Sequence, residues 1–121
     1  MATRSTIVME MQDGWVRSVY CHWDGYPEGV GATLQEHYTD PAKIEQLLEI
    51  GDISSLREEI GEQHDFNSAS DVTTFYGRDR GEDGVGPLVH DSRERWLSSR
   101  KGNGCEYGYL WNGISWVTFE M

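Results

Sequence analysis

The dipeptide Asn112-Gly113 separates two apolar runs near the end of the chain, and it constrains the fold more than any other feature. Asn-Gly is the strongest two-residue signal for a tight β-hairpin, because both residues tolerate the left-handed backbone of that turn. Residues 106–111 and 114–120 are therefore predicted to pair as antiparallel strands. The predicted register sets Trp111 opposite Ile114, Tyr109 opposite Trp116 and Tyr107 opposite Thr118.

A second hairpin is predicted near the start of the chain. Residues 6–11 and 15–22 are rich in β-branched and apolar side chains, and the turn signal Gln12-Asp13-Gly14 lies between them. Successive residues of a strand point to opposite faces of a sheet. The second strand should therefore present Val19 with Cys21 on one face and Tyr20 with His22 on the other.

Two helices are predicted to follow this hairpin. Residues 30–38 carry one apolar stripe of helical period, which indicates a first helix. The tripeptide Thr39-Asp40-Pro41 is a strong helix start, because Asp caps the first turn and Pro fits the first helical position. Ile44, Leu47 and Leu48 form the buried stripe of this second helix, and Gly51 ends it.

The middle of the chain carries weaker signals. Ser55 and Glu58 match the capping-box pattern, which predicts a further short helical turn. Residues 72–76 are typical of a third strand, and the polar segment 77–86 is typical of an exposed loop. Residues 92–99 fit either a short helix or an irregular connection.

Together these elements predict a single α+β domain spanning residues 1–121. The expected sheet is mostly antiparallel, with about five strands and with two or three helices packed on one face. No apolar run approaches the length of a membrane span, and the start of the chain has no signal-peptide pattern, so a cytoplasmic protein is expected. Cys21 and Cys105 lie in apolar runs, where buried free thiols are expected, although a bridge between them stays an alternative.

Acidic residues dominate the charge of the chain. Lys and Arg together number 10 and Asp and Glu 21, which gives a net charge of -11 and disfavours direct binding to nucleic acid or anionic membranes. Between Asp24 and Asp65 the only bases are Lys43 and Arg57. This segment predicts an acidic surface that either meets a basic protein or only favours solubility. Its members are Glu28, Glu36, Glu45, Glu49, Glu58, Glu59 and Glu62.

A run of aromatic and polar side chains, residues 20–27, ends the second strand. The ends of strands often carry binding groups; aromatic rings stack on ligands, while His and Asp give directional hydrogen bonds. In the alternative, the rings complete the core and the polar groups pair with each other. The candidate residues for binding a ligand or partner are Arg4, Tyr20, His22, Trp23, Asp24, Tyr26, Tyr76, Arg78 and Asp79.

Catalytic and metal sites have no positive signal in the sequence. The four histidines lack the spacing of a helical zinc motif. His22 follows Cys21 directly, but neighbours on a strand face opposite ways, so this imidazole cannot activate that thiol. We therefore expect no cofactor and no metal, and a non-enzymatic role.

Three motifs resemble a family of small phage and prophage proteins: Thr3-Arg4-Ser5, the run Tyr20-Cys21-His22-Trp23-Asp24-Gly25-Tyr26-Pro27, and Phe75-Tyr76-Gly77-Arg78-Asp79-Arg80-Gly81-Glu82. The resemblance covers most of the chain except residues 87–104. It implies a viral setting rather than an activity.

Small acidic phage proteins often block host antiviral systems such as CRISPR–Cas, and this setting suggests the leading hypothesis. The protein would inhibit such a system, without catalysis, by binding a host protein through the acidic surface. In the alternative it would sequester a nucleotide immune signal, with Arg4 and Arg78 holding phosphate; a hydrolase of that signal is the third possibility. Oligomer formation is left open.

Overall fold

The computed structural model describes residues 2–121 and arranges them around one mixed sheet of seven strands. The strands are β1 Ser5–Glu10, β2 Val16–Cys21, β3 Ile53–Ser55, β4 Thr74–Phe75, β5 Leu88–His90, β6 Tyr107–Trp111 and β7 Trp116–Glu120. The helices are a π-helical turn Pro27–Gly31, α1 Ala32–His37, α2 Pro41–Ile50, α3 Tyr76–Arg80 and α4 Arg93–Gly102.

The sheet has the strand order β4-β3-β2-β1-β6-β7, with β5 also paired to β2. β1 runs antiparallel to β2 and parallel to β6, and β2 runs parallel to β3. The α+β class is confirmed, and four of the six strand pairings are antiparallel as expected, but the sheet has seven strands rather than about five and contains two parallel pairings. Strands of two or three residues, such as β3, β4 and β5, are too short to show a periodic pattern. The parallel pairing of β1 with β6 joins distant parts of the chain and leaves no local signal.

Helices cover both faces of the sheet, which corrects the expected one-sided arrangement. α1 and α2 pack on the face that carries Ile7, Val19 and Tyr109. α4 packs on the other face, where Trp96 is fully buried with Val8, Val16 and Leu110. The sequence of α4 is almost entirely polar, so one buried tryptophan anchors the helix without forming an apolar stripe.

The first hairpin is confirmed, and the second has a different register from the one predicted. Trp111 pairs with Trp116, Tyr109 with Thr118, and Tyr107 with Glu120. The predicted two-residue turn is wrong because Asn112 Oδ1 accepts hydrogen bonds of 2.9 Å from the N–H groups of both Ile114 and Ser115. These bonds create a four-residue loop. The shift is two positions, so every side chain stays on its predicted face.

The two predicted helices of the first half are present. Asp40 Oδ1 caps α2 by accepting from the N–H of Ala42 at 3.0 Å, and Gly51 follows the last turn. α1 is preceded by the π-helical turn, and Val30, Leu34 and Tyr38 are the buried members of its stripe.

The segment after β3 differs from its prediction. Ser55 ends β3, and residues 56–60 are not helical, so the capping-box assignment is wrong. Thr73 Oγ1 instead accepts a hydrogen bond from the N–H of Arg57 at 3.0 Å, which holds this segment extended. The third predicted strand is shortened, since Tyr76 begins α3, while residues 93–102 adopt the helical alternative as α4.

Both cysteine thiols are buried and free. Burial raises the pKa of Cys21 to about 12 and that of Cys105 to about 11. None of the helices within residues 2–121 combines the length and the apolar character that crossing a membrane requires.

Candidate functional site

The acidic surface lies on the layer formed by α1, α2 and the segment after β3. Each of its seven glutamates is exposed. Glu36 belongs to α1 and Glu45 and Glu49 to α2, while Leu56 and Ile60 fasten the following segment to the same core. The carboxylates therefore project outward from one side of the sheet.

Lys43 lies within this layer and is used to hold it together. Its ammonium donates hydrogen bonds of 2.8 Å to the backbone carbonyls of His37 and Glu58, and it lies 4.3 Å from the centre of the Tyr38 ring. Lys43 thus fastens α2 to α1 and to the segment after β3. Its role is internal, and the outward-facing groups are predominantly carboxylates.

The sheet separates the acidic layer from a more basic helix. α4, on the opposite face, exposes Arg93, Arg95 and Lys101. Arg93 forms a two-pronged ion pair with Glu10, with Nε 2.6 Å from Oε2 and Nη2 2.9 Å from Oε1. The charges are therefore distributed unequally across the sheet, with the negative excess on the side of α1 and α2.

The aromatic cluster contains Tyr20, His22 and Trp23 at the end of β2. The Tyr20 hydroxyl lies 2.7 Å from His22 Nδ1, and the rings of His22 and Trp23 meet edge to face with centroids 4.7 Å apart. The pairing of Ser5 with Cys21 brings exposed Arg4 beside His22. Burial lowers the pKa of His22, and the positive charge of Arg4 lowers it further. The structure therefore brings four candidate residues together around a neutral imidazole.

Asp24 and Tyr26 form the turn that leads from the sheet to the helices. Asp24 adopts a left-handed backbone with φ of 56°, and its carboxylate accepts a 3.3 Å hydrogen bond from the Tyr26 hydroxyl. Between them, Gly25 donates its N–H to the Thr3 carbonyl at 2.9 Å and accepts from the Tyr109 hydroxyl at 2.7 Å. A Cβ at Gly25 would lie 2.6 Å from the Thr3 oxygen, so this backbone approach requires glycine.

Arg78 and Asp79 form a separate cluster that holds the loop of residues 61–73. The five N–H groups of the Arg78 guanidinium donate to the backbone carbonyls of Ile60, Gly61 and Thr73 and to both oxygens of Asp79. The guanidinium thus has no N–H group left over for a phosphate. We name this arrangement the arginine clamp.

Asp79 is buried within the arginine clamp and joins it to the neighbouring backbone. Its carboxylate accepts from the N–H groups of Phe75 at 2.8 Å and His64 at 3.0 Å. Burial alone would raise the pKa of Asp79, but the hydrogen bonds from Arg78, Phe75 and His64 outweigh it and lower that pKa. Tyr76, next to the clamp, packs against Phe66 with ring centroids 5.5 Å apart.

Three polar residues that sequence reasoning missed lie close to these clusters. Asp52 Oδ1 accepts the N–H of Tyr20 at 2.9 Å, in the gap that β3 and β5 leave along β2. Arg100 is only 3% exposed and donates to the hydroxyl and carbonyl oxygens of Ser18 at 3.0–3.1 Å. Neither residue belongs to a recognisable motif, and both act through partners that are distant in the sequence.

His64, the third, connects a hydroxyl to a carboxylate. Its Nε2 lies 3.0 Å from Thr74 Oγ1, and its Nδ1 lies 3.7 Å from Asp79 Oδ1 and 3.2 Å from the Glu62 carbonyl oxygen. Thr74 is buried, which keeps its hydroxyl away from a substrate. The arrangement fastens the loop of residues 61–73 to β4.

The candidate site is described from its geometry alone, because the comparisons with known proteins identify no relative with a known site. Within residues 2–121, no three His, Cys, Asp or Glu side chains converge as the ligands of a metal ion would. Comparisons with protein-family models, with curated proteins and with solved structures find no match to this chain.

Proposed function

We propose that the protein is a phage-encoded, non-enzymatic inhibitor of a bacterial antiviral defence system. It acts in the host cytoplasm by binding a host protein through the acidic surface. The observation that carries this proposal is the exposure of all seven glutamates, five of which lie in one layer whose lysine is engaged internally. The phage setting rests on the sequence resemblance, and the mode of binding rests on the charge.

Electrostatics supports this mode of binding. A surface of one sign attracts a partner of opposite sign and speeds association, and the attraction weakens as salt shortens its range. A protein channel that holds nucleic acid presents such a basic surface to an acidic competitor. The inhibitor would then occupy the position of the phosphate backbone.

A non-enzymatic role also agrees with the chemistry of the potential nucleophiles. The thiolate is the reactive form of cysteine, and pKa values of about 12 and about 11 keep both thiols protonated near neutral pH. Thr74, the hydroxyl beside His64, is buried. These groups serve packing and the anchoring of loops.

The proposal is tested by charge reversal on the acidic surface. Purified protein is mixed with extracts of bacteria that express defined defence systems, and bound proteins are identified by native mass spectrometry. The triple variant Glu36→Lys, Glu45→Lys, Glu49→Lys should lose roughly tenfold or more in affinity for the captured protein, as should the wild type at high salt. Glu94→Lys, on the exposed side of α4, is the matched control and should bind normally.

The proposal fails if the captured protein binds equally well to the triple variant and at high salt. It also fails if the wild type and the triple variant inhibit the purified defence complex to the same extent. Circular dichroism of each variant excludes unfolding as the cause of a lost interaction.

A second candidate function is the sequestration of a nucleotide immune signal. It is favoured by the position of Arg4 beside Tyr20 and His22, where a guanidinium and aromatic rings would meet a phosphate and a base. Titration calorimetry of the wild type and Arg4→Gln with a panel of cyclic and linear nucleotides tests it. Absence of heat across the panel contradicts sequestration, and chromatography of the mixtures reveals any hydrolysed product.

A further inference from the structure

Two surface cavities lie side by side at one end of the sheet and share the side chain of Trp111. One has a volume of about 360 Å³ and is lined by residues that include Gln35, Ile114 and Trp116. The other has a volume of about 570 Å³ and is lined by residues that include Met11. We call the two together the tryptophan groove.

Three connections build the tryptophan groove. The β1–β2 turn contributes Met11 and Asp13, the β6–β7 loop contributes Ile114, and the junction of α1 and α2 contributes Thr39 and Pro41. The groove therefore lies on the same side of the sheet as the acidic surface. Its outer residues belong to loops, which can adjust to a partner more readily than the strands.

The floor of the groove is apolar, and so is Ile114 at its rim. Trp111 and Trp116 lie with ring centroids 5.5 Å apart, and Ile114 at the rim is 86% exposed. Met9 and Met11 extend the apolar lining, and the flexible methionine side chain adapts to occupants of different shape. A concave apolar floor that partly exposed side chains border is a common site of interaction between proteins.

The indole N–H groups of Trp111 and Trp116 differ in their hydrogen bonding. Trp111 is 4% exposed, and its Nε1–H finds no acceptor among residues 2–121. The neighbouring Trp116 donates its own Nε1–H to the Tyr38 carbonyl oxygen at 2.8 Å. A buried donor without an acceptor is unfavourable, so the ring of Trp111 is less firmly held than that of Trp116.

The charges around the groove specify the character of its occupant. Among the described residues that line it, the charged ones are Glu10, which is paired with Arg93, and Asp13, which is exposed and forms part of the rim. Gln35 and Thr39 in the lining are followed in the chain by Glu36 and Asp40, both exposed. An apolar floor with an acidic rim complements a segment that combines apolar and basic side chains.

We propose that the tryptophan groove receives a basic segment of a partner protein. An apolar side chain of that segment rests on Trp111 and Trp116, and its Lys or Arg residues face the acidic rim. The inference rests on the proposed function, because it specifies where the partner is anchored beside the acidic surface. Charged groups steer and orient the partner, whereas the buried apolar contact limits its dissociation.

The inference is tested by nuclear magnetic resonance on the full ¹⁵N-labelled chain. The probe is a short synthetic peptide of alternating lysine and leucine. It should shift the indole N–H signals of Trp111 and Trp116 and leave that of Trp23 unchanged, because Trp23 lies at the opposite end of β2. A peptide with glutamate in place of lysine, and one with serine in place of leucine, should both fail to shift these signals.

Two variants place a positive charge in the groove at exposed positions. Gln35→Lys and Ile114→Lys should each weaken binding of the lysine–leucine peptide roughly tenfold, through repulsion and loss of apolar contact. Val89→Lys, at a 57% exposed position on β5, is the matched control and should bind as the wild type does. Circular dichroism verifies that all three variants are folded.

The inference is overturned if the peptide leaves the Trp111 and Trp116 signals unchanged, if the glutamate peptide binds equally well, or if Gln35→Lys and Ile114→Lys bind as Val89→Lys does. These outcomes are distinct from failure of the proposed function. If charge reversal at Glu36, Glu45 and Glu49 abolishes capture of the host protein while the groove variants still capture it, the acidic surface acts without the groove. If the groove binds the peptide but charge reversal and salt leave capture unchanged, the proposed function fails alone.

Discussion

The indole N–H of Trp116 donates a hydrogen bond of 2.8 Å to the backbone carbonyl oxygen of Tyr38, the residue that follows the last turn of α1. The bond fastens the edge strand β7 to the helical layer. It also satisfies a carbonyl that the end of a helix leaves without an intrahelical partner.

We expect Trp116→Phe to destabilise the protein by about 1 kcal/mol, because the variant keeps an aromatic ring but loses this donor. Urea denaturation followed by circular dichroism measures the change. Trp23→Phe is the matched control, since Trp23 is 44% exposed, and it should change stability by less than about 0.5 kcal/mol. Equal stability of Trp116→Phe and the wild type would contradict the role assigned to this bond.

The arginine clamp predicts a larger effect. Arg78→Gln leaves the buried carboxylate of Asp79 without its charged partner, and we expect a loss of about 3 kcal/mol in the free energy of unfolding. Arg80→Gln removes an exposed pair with Glu82 and should cost less than about 1 kcal/mol. The loop of residues 61–73 should also lose protection from proteolysis in Arg78→Gln alone. Equal stability of the two variants would show that the clamp is unimportant.

The pKa of His22 provides a test of its neighbourhood. Burial and the charge of Arg4 lower this pKa below its ordinary value of 6.5, so the imidazole binds a proton less readily in the folded than in the unfolded chain. Stability should therefore decline as the pH falls through 6.5 toward the folded pKa. In Arg4→Gln the pKa should rise and the decline should be smaller. Titration of the His22 ring by nuclear magnetic resonance measures the pKa in the wild type and in Arg4→Gln. An unchanged pKa would place Arg4 too far away to act.

The two cysteines should be unreactive in the folded protein. Burial raises the pKa of both thiols, so they stay protonated at neutral pH and are shielded from reagents. Iodoacetamide should modify neither thiol under native conditions and both in denaturant, as measured by the mass of the intact chain. Rapid modification of either cysteine in the native protein would contradict its burial.

Local signals predicted local structure well. Asp40 and Pro41 marked the start of α2, because capping and a preset backbone angle depend on adjacent residues alone. Asn112 identified the turn, but the hydrogen bonds of its side chain lengthened the loop and moved the register by two positions. The position of α4 depends on Trp96 and on the buried Arg100, which bonds Ser18, and these two residues of a polar helix form no periodic apolar pattern.

The parts of the candidate site that depend on neighbouring residues were predicted, whereas the parts that depend on distant segments were not. Exposure of the seven glutamates follows from the cost of burying charge, and Tyr20, His22 and Trp23 lie together because they are consecutive or alternate on one strand. The partners of Arg78 lie on distant segments, so the sequence did not reveal that its donors are used internally. The tryptophan groove arises from three loops that only the folded chain brings together.

The parallel pairing of β1 with β6 has a consequence for the order of folding during synthesis. β1 lies between β2 and β6. The backbone groups on the edge of β1 that faces β6 therefore stay without partners until Trp111 has left the ribosome. The early hairpin and the acidic helices can form beforehand, but the sheet closes only after β6 has been synthesised. A nascent chain arrested before β6 would expose the edge of β1 and the apolar residues that β6 covers, and chaperones would recognise it as incomplete.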